Sequence, residues 1–381
     1  MNNRKGIKFL ILILVLAAIM SGCVQVNEEK DRSLVIAEVN GEQIKKGEIL
    51  DQYHRGYGEP EEYDEEIMLN ILNSLIENKL VKQKAASAGY IVDEDVRKRA
   101  QEDYDQTIRT YGETLRQQAG EDADPDTDYE QKAREELKKI ITESGQTEEG
   151  YLNLLAENIA ILDFLDELLT DLKVEDNEIE EYYQEELEFQ RDYPSMAAYY
   201  SSVKIVTEPA SRLVKHILIK LADEDTQGID ALRKEGKEED ADALREEKLK
   251  TIESNAKKVL DRANAEEDFE ALIDLFGEDP GMELEEYKDG YSMLRDESMM
   301  PEFLEASFQL QEGEISDLVP TDYGYHIIKV YKATEDIIAP LEDVKEEIRS
   351  VLLNQKKSRK TGELIDQWLE EADIKRYEKR L

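Results

Sequence analysis

The spacing of apolar residues changes twice along the chain, and those changes limit the folds open to it. From Leu34 to Tyr193 the spacing is mainly helical. In "EEIMLNILNSLIENKLVKQKAASAG", Met68, Leu72, Leu75, Ile76 and Leu80 share one stripe, with Gly89 as the cap beyond it. Asp93 caps a further helix, "YLNLLAENIAILDFLDELL" makes another, and Asp176 opens one that Pro194 ends. Before them, "LVIAEVNGEQIKKGEIL" reads as two short strands joined at Asn40-Gly41, a pair that tolerates positive φ at both turn positions. At Ser201 the pattern turns β-branched and non-helical, and short helices ("DFEALIDLF", "MPEFLEASFQL") alternate with strands as far as Lys332. A long amphipathic helix then carries Val344, Ile348, Leu352, Leu364, Ile365 and Trp368.

That last stripe cannot be buried by an isolated helix. The expected fold is α+β: a mainly helical module built from both chain ends, with a β-α-α-β domain inserted between them. The expected boundaries are a leader at 1–22, a tether at 23–33, a helical domain at 34–200, the inserted domain at 201–335 and a returning helix at 336–381. Within the insert, the acidic stretch near 222–253 reads as a solvated helical excursion.

The N-terminus is a processing signal. Arg4, Lys5 and Lys8 precede the apolar run "FLILILVLAAIM", which is shorter than the ~20 residues a membrane span needs. "MSGC" then resembles a bacterial lipobox, which implies diacylglycerol on Cys23 and anchoring at the extracytoplasmic face of the membrane. Cys23 is the only cysteine, so no disulfide within the chain and no second thiol is available for chemistry. The formal charge of −42 repels nucleic acid phosphates and anionic headgroups, which removes nucleic acid as a partner of the folded body.

The chain has only 3 histidines. His54, in "DQYHRGYG", reads as a surface residue. His216 in "RLVKHILIKL" alternates with Val214 and Leu218, and His326 in "TDYGYHIIKVYKA" alternates with Ile328 and Val330. Both point to an apolar strand face. One such residue is ordinarily a hydrogen-bonded core histidine, but two on strands of one domain imply that they face each other and stay neutral. With no third ligand evident, no metal site is expected.

"VKHILIK", "DFEALIDLFGEDPG", "MMPEFLEASFQLQEGEISDLV" and "TDYGYHIIKV" follow in the order of a parvulin-type peptidyl-prolyl cis/trans isomerase, and the resemblance rests on them. The flanking "VIAEVNGEQI" with its helices resembles a SurA-like chaperone module, and the whole resembles the PrsA-type foldase lipoproteins. The resemblance implies catalytic roles for His216, Asp279 and His326. It implies substrate contacts for Tyr291, Met299, Phe303, Thr321 and Tyr323, with no cofactor. Each also has a plainer reading: Met299 and Phe303 as core one helical turn apart, Asp279 as the start of a Pro-Gly turn, Tyr323 as a strand-edge aromatic.

Two departures stand out. "YKDGYSMLRDESM" replaces the family's Gly-Gly-Asp-Leu-Gly stretch and puts Tyr291 at the pocket leucine. "ADEDTQG" is acidic where phosphate-reading members carry a basic loop, which argues against selectivity for phosphorylated Ser/Thr-Pro. The implied partners are unfolded secreted proteins with X-Pro bonds and, through Cys23, the membrane; the long last helix also leaves a homodimer open. The alternative function is a holding chaperone with a degenerate, inactive isomerase domain.

Overall fold

A computed structural model describes residues 28–120, 127–296 and 299–381. The leader and Cys23 lie outside the described residues. The strands are β1 (Val35–Val39), β2 (Glu42–Lys45), β3 (Val206–Glu208), β4 (Ser211–Lys220) and β5 (Tyr291–Met293). They continue as β6 (Val319–Thr321), β7 (Gly324–Thr334), β8 (Ile337–Ile338) and β9 (Ile374–Arg376). The chain divides into two compact units, one running to Leu172 and resuming at Gln355–Leu381, the other Lys173–Asn354.

The first unit has a three-stranded antiparallel sheet with β1 between β2 and β9. Asn40 and Gly41 both take positive φ at the β1–β2 turn, as their identities predict. Helices Glu65–Ser87, Glu94–Ala119, Tyr129–Glu143 and Glu148–Leu168 follow. Asp64, Asp93, Asp128 and Thr147 each accept a backbone N–H at the start of one of them. Leu72, Ile76 and Leu80 are fully buried with Ile36, Ile44, Phe164 and Trp368. Each such aliphatic side chain contributes about 1.5–3 kcal/mol by leaving water. Both ends of the chain therefore build one core, as the unpartnered C-terminal stripe requires. His54 lies in the first unit, away from the two strand histidines in sequence. It is half-buried, its ring stacks with Tyr63, and its Nε2 lies 2.8 Å from the Tyr63 hydroxyl.

Helix Leu341–Glu371 serves two cores. Leu364, Ile365 and Trp368 join the first, while Val344, Ile348 and Leu352 pack with Val174, Ile179, Tyr183, Val203 and Ile205 in the second unit. Pro194 both ends helix Asp176–Asp192 and opens a new one, Pro194–Tyr200, at the position where a missing N–H costs nothing.

The second unit is organised by a four-stranded antiparallel sheet in the order β5-β4-β7-β6. Alternation along the central pair sends Ile217, Ile219 and Ile327 to one face, against helices Glu238–Asn264 and Phe269–Phe276. The other face carries Val214, Ile328 and Val330 against Phe303 of helix Pro301–Gln309. The acidic stretch forms a helical hairpin, Asp223–Lys234 and Glu238–Asn264, longer than its charge pattern indicates. It is not simply solvated, because Ile229, Ala241 and Leu249 are buried with Leu221 against Tyr325.

Candidate active site

Strand register brings the two histidines together. His216 pairs with Ile328 and His326 with Leu218, so they are diagonal neighbours on one face of the β4–β7 pair. Their ring centroids lie 5.0 Å apart, and both residues are 3% exposed or less. Phe303 meets each ring edge-on, at 5.1 and 5.2 Å. The turn into β7 is shaped by Gly324 at φ 146°, where an added Cβ would lie 2.1 Å from the Ile219 carbonyl oxygen.

Asp279 reaches His216 because its neighbour is pinned to β4. The Glu278 N–H donates to the Leu218 carbonyl at 3.0 Å, and the Glu278 carboxylate accepts the Lys220 N–H at 2.8 Å. Asp279 Oδ2 then lies 3.2 Å from His216 Nε2, off the axis of an aligned N–H···O bond. Asp279 also accepts the Gly281 N–H at 3.0 Å and the Tyr291 hydroxyl at 2.8 Å. Burial pushes the Asp279 carboxyl up, but His216, the Gly281 N–H and the Tyr291 O–H outweigh it and hold it well below the usual carboxylate range. Tyr291 is pushed up by burial and by Asp279, so its phenol stays protonated and donates. Its ring stacks on His216 at 5.7 Å.

At the other end of the pair, Thr321 Oγ1 lies 2.9 Å from His326 Nε2 and accepts the Tyr323 N–H at 3.2 Å. Burial, reinforced by His216 and opposed by Asp279, pulls His326 down to about 3. The imidazole is therefore neutral at physiological pH. Nδ1 of both histidines is buried without a protein hydrogen-bond partner.

Of the residues singled out from the sequence, His216, His326, Asp279, Tyr291, Met299 and Phe303 gather on one cluster. Tyr291 and Met299 are part exposed, whereas Phe303 is fully buried behind the imidazoles. Thr321, expected to face substrate, is fully buried and instead partners His326, while Tyr323 is 47% exposed beside it. Glu278 and Gly281 escape a reading by residue type; their signal is only their adjacency to Asp279 in "GEDPG". An added Cβ at Gly281 would lie 2.0 Å from the Tyr291 hydroxyl, so the glycine admits the phenol. Among the described residues no cluster of three or more His, Cys, Asp or Glu side chains could hold a metal ion.

Residues 216–332 match the family profile of the PPIC-type PPIase domain, the rotamases, and residues 1–100 match the SurA-like N-terminal domain. Residues 216–332 form a PPIC-type peptidyl-prolyl isomerase domain. The match begins at His216 itself, within β4, and all the clustered side chains fall inside it. The chain is 28% identical to the foldase protein PrsA of Clostridium botulinum strain Hall, over 97% of this chain and 96% of that protein. It is 24% identical to the Clostridium kluyveri PrsA along the full length of both. A solved PrsA structure from Bacillus cereus aligns over 92% of this chain and 96% of that one, with 20% identity and a TM-score of 0.26. The chain carries the parvulin domain after a SurA-like module in sequence, and these relatives are foldases. Among the described residues no helix is long and apolar enough to cross a membrane.

Proposed function

We propose that this chain is a foldase held at the extracytoplasmic face of the bacterial cell membrane by lipid on Cys23. There it isomerises X-Pro bonds in secreted proteins as they fold. Residues 1–22 act as the leader and 23–33 as the tether, and the parvulin domain works within 201–335.

The chemistry is conformational. The barrier to rotation about a peptide bond is ~18–20 kcal/mol because twisting ω destroys amide resonance. No bond is broken, so the chain needs no nucleophile and no cofactor. It must hold the proline ring and favour the twisted amide over the planar one. Tyr291 and Met299 offer the accessible apolar wall, and Phe303 backs the two imidazoles. Asp279, held ionised beside His216, sets the pair's tautomers from one end, and the Thr321 hydroxyl sets them from the other. The observation that carries this reading is the 5.0 Å histidine pair with a carboxylate fixed at one edge.

The deciding experiment is isomerisation of an X-Pro peptide by the full chain, run beside refolding of a proline-limited protein. His216→Ala and Asp279→Ala should each slow the reaction by about tenfold or more. Unchanged rates in both variants would remove the reading. Cys23→Ala should shift the chain from the membrane fraction to the soluble one.

A holding chaperone is the second reading, favoured by exposed side chains near helix Pro194–Tyr200. Tyr193, Met196, Tyr199 and Tyr200 are 50%, 48%, 86% and 75% exposed. It predicts suppression of client aggregation without any acceleration of proline-limited refolding.

A further inference from the structure

We propose that Arg233 and Arg245, on the acidic helical hairpin, are positioning residues that clamp two parts of the isomerase site through Asp322 and Glu302. The inference rests on the isomerase reading and gives the inserted hairpin a task within it.

A hairpin whose charges served only solubility would turn its arginines outward. Here the Arg233 guanidinium is 27% exposed and grips Asp322 with two donors, Nε to Oδ2 at 2.5 Å and Nη2 to Oδ1 at 2.9 Å. The same group donates to Asp242 at 2.8 Å and Glu238 at 2.5 Å, both on the hairpin's second helix. Arg245, 19% exposed, donates to Glu302 at 3.0 Å and lies 3.6 Å from Asp322 and 3.3 Å from Asp242. Two guanidinium groups thus share four carboxylates, with Asp322 and Asp242 common to both. A network with forked geometry holds position in a way that an isolated surface pair does not.

The two carboxylates outside the hairpin occupy telling places. Asp322 stands between Thr321, whose hydroxyl meets His326 Nε2, and Tyr323, whose N–H donates back to Thr321. The Tyr323 carbonyl accepts the Leu221 N–H at 2.8 Å, just ahead of the hairpin. Glu302 directly precedes Phe303, whose ring touches both imidazoles. The hairpin is itself anchored by buried Ile229, Ala241 and Leu249, so it forms a stiff base for the arginines. Lysine would supply the charge but not the two-pronged grip.

The test is a double-mutant cycle on the full chain with Arg233→Ala, Asp322→Ala and the pair, read as kcat/KM for an X-Pro peptide. Amide hydrogen exchange across residues 321–326 is followed in the same variants. Each single change should lower kcat/KM by about tenfold, as displacement of a positioned group does. The double variant should lose no more than the worse single one. Exchange at Tyr323 and Gly324 should rise about tenfold, and Arg233→Lys should fall between wild type and Arg233→Ala. If Arg233→Ala fails to fold, Glu302→Gln and Arg245→Lys provide the same comparison on the Phe303 side.

Unchanged exchange overturns the clamp. Faster exchange with unchanged kcat/KM, or losses that multiply in the double variant, overturns the positioning role. A wild-type chain without isomerase activity overturns the functional reading and the kinetic consequence with it, while exchange still decides whether the arginines hold the turn.

Discussion

The Tyr291 hydroxyl donates to Asp279 Oδ2 at 2.8 Å while its ring lies against His216, so one side chain contacts the carboxylate and one of the two imidazoles. Tyr291→Phe keeps the stacked ring and deletes one donor to a carboxylate that burial alone would drive towards protonation. The loss should cost about 1 kcal/mol of stability, discounted because the phenol is part exposed. It should lower kcat/KM by about five- to tenfold. Denaturant unfolding and an X-Pro peptide assay measure the two effects. Kinetics within twofold of wild type would mean that Tyr291 contributes only its ring.

Gly281 is tied to the same contact. An alanine Cβ there would sit 2.0 Å from the Tyr291 hydroxyl and 3.3 Å from its Cζ. Gly281→Ala should therefore displace Tyr291 at a cost of about 2 kcal/mol, typical of overpacking. In a Tyr291→Phe background that cost should fall by half or more, because the clashing atom is gone. Equal costs in the two backgrounds would assign the glycine a purely backbone role.

His326 gives the site a pH signature. Its folded imidazole titrates near 3 against about 6.5 for the free group. Above pH ~6.5 both states are neutral and the residue contributes no slope. As pH falls, the unfolded chain binds the proton first, so stability is lost progressively from pH ~6.5 towards pH ~3. Asp279 adds a loss of the same sign below pH ~4, since its folded carboxyl also lies below its unfolded value. With so many other carboxylates titrating, the informative quantity is the difference between wild type and His326→Gln. Their unfolding free energies should diverge in slope between pH 6 and 4, and parallel curves would contradict a neutral buried imidazole.

Strand alternation was enough to place His216 and His326 each on an apolar face of its own strand, because period two fixes facing, but only the β4–β7 register puts the two on the same face. The stripe ending at Trp368 likewise announced a buried face. Side-chain links carry no such period. Tyr291 meets Asp279 across 12 residues and Arg233 meets Asp322 across 89, and neither spacing leaves a pattern in the sequence. β9 is hidden for another reason: Ile374-Lys375-Arg376 is short and mostly charged, and only its pairing with β1 makes it a strand. The excess of acidic residues also obscured the hairpin's buried stripe of Ile229, Ala241 and Leu249.

The core shared by the chain ends has a built-in reporter. Trp368 is the only tryptophan, is 7% exposed, and stacks on Phe164 at 5.9 Å between ring centroids with Lys84 over its face. Its fluorescence therefore follows the first unit alone. Phe164 comes from helix Glu148–Leu168 and Trp368 from helix Leu341–Glu371, so their contact closes the core between distant parts of the chain. Phe164→Ala removes a buried ring and leaves a cavity beside the indole, at an expected cost of about 3–5 kcal/mol. The unfolding midpoint read by tryptophan emission should fall accordingly, with the folded emission shifting to the red as water reaches Trp368. No side chain of the parvulin site is altered, so kcat/KM for an X-Pro peptide should stay within about twofold of wild type under folding conditions. An unmoved midpoint would show that the returning helix does not depend on this contact for its place in the core.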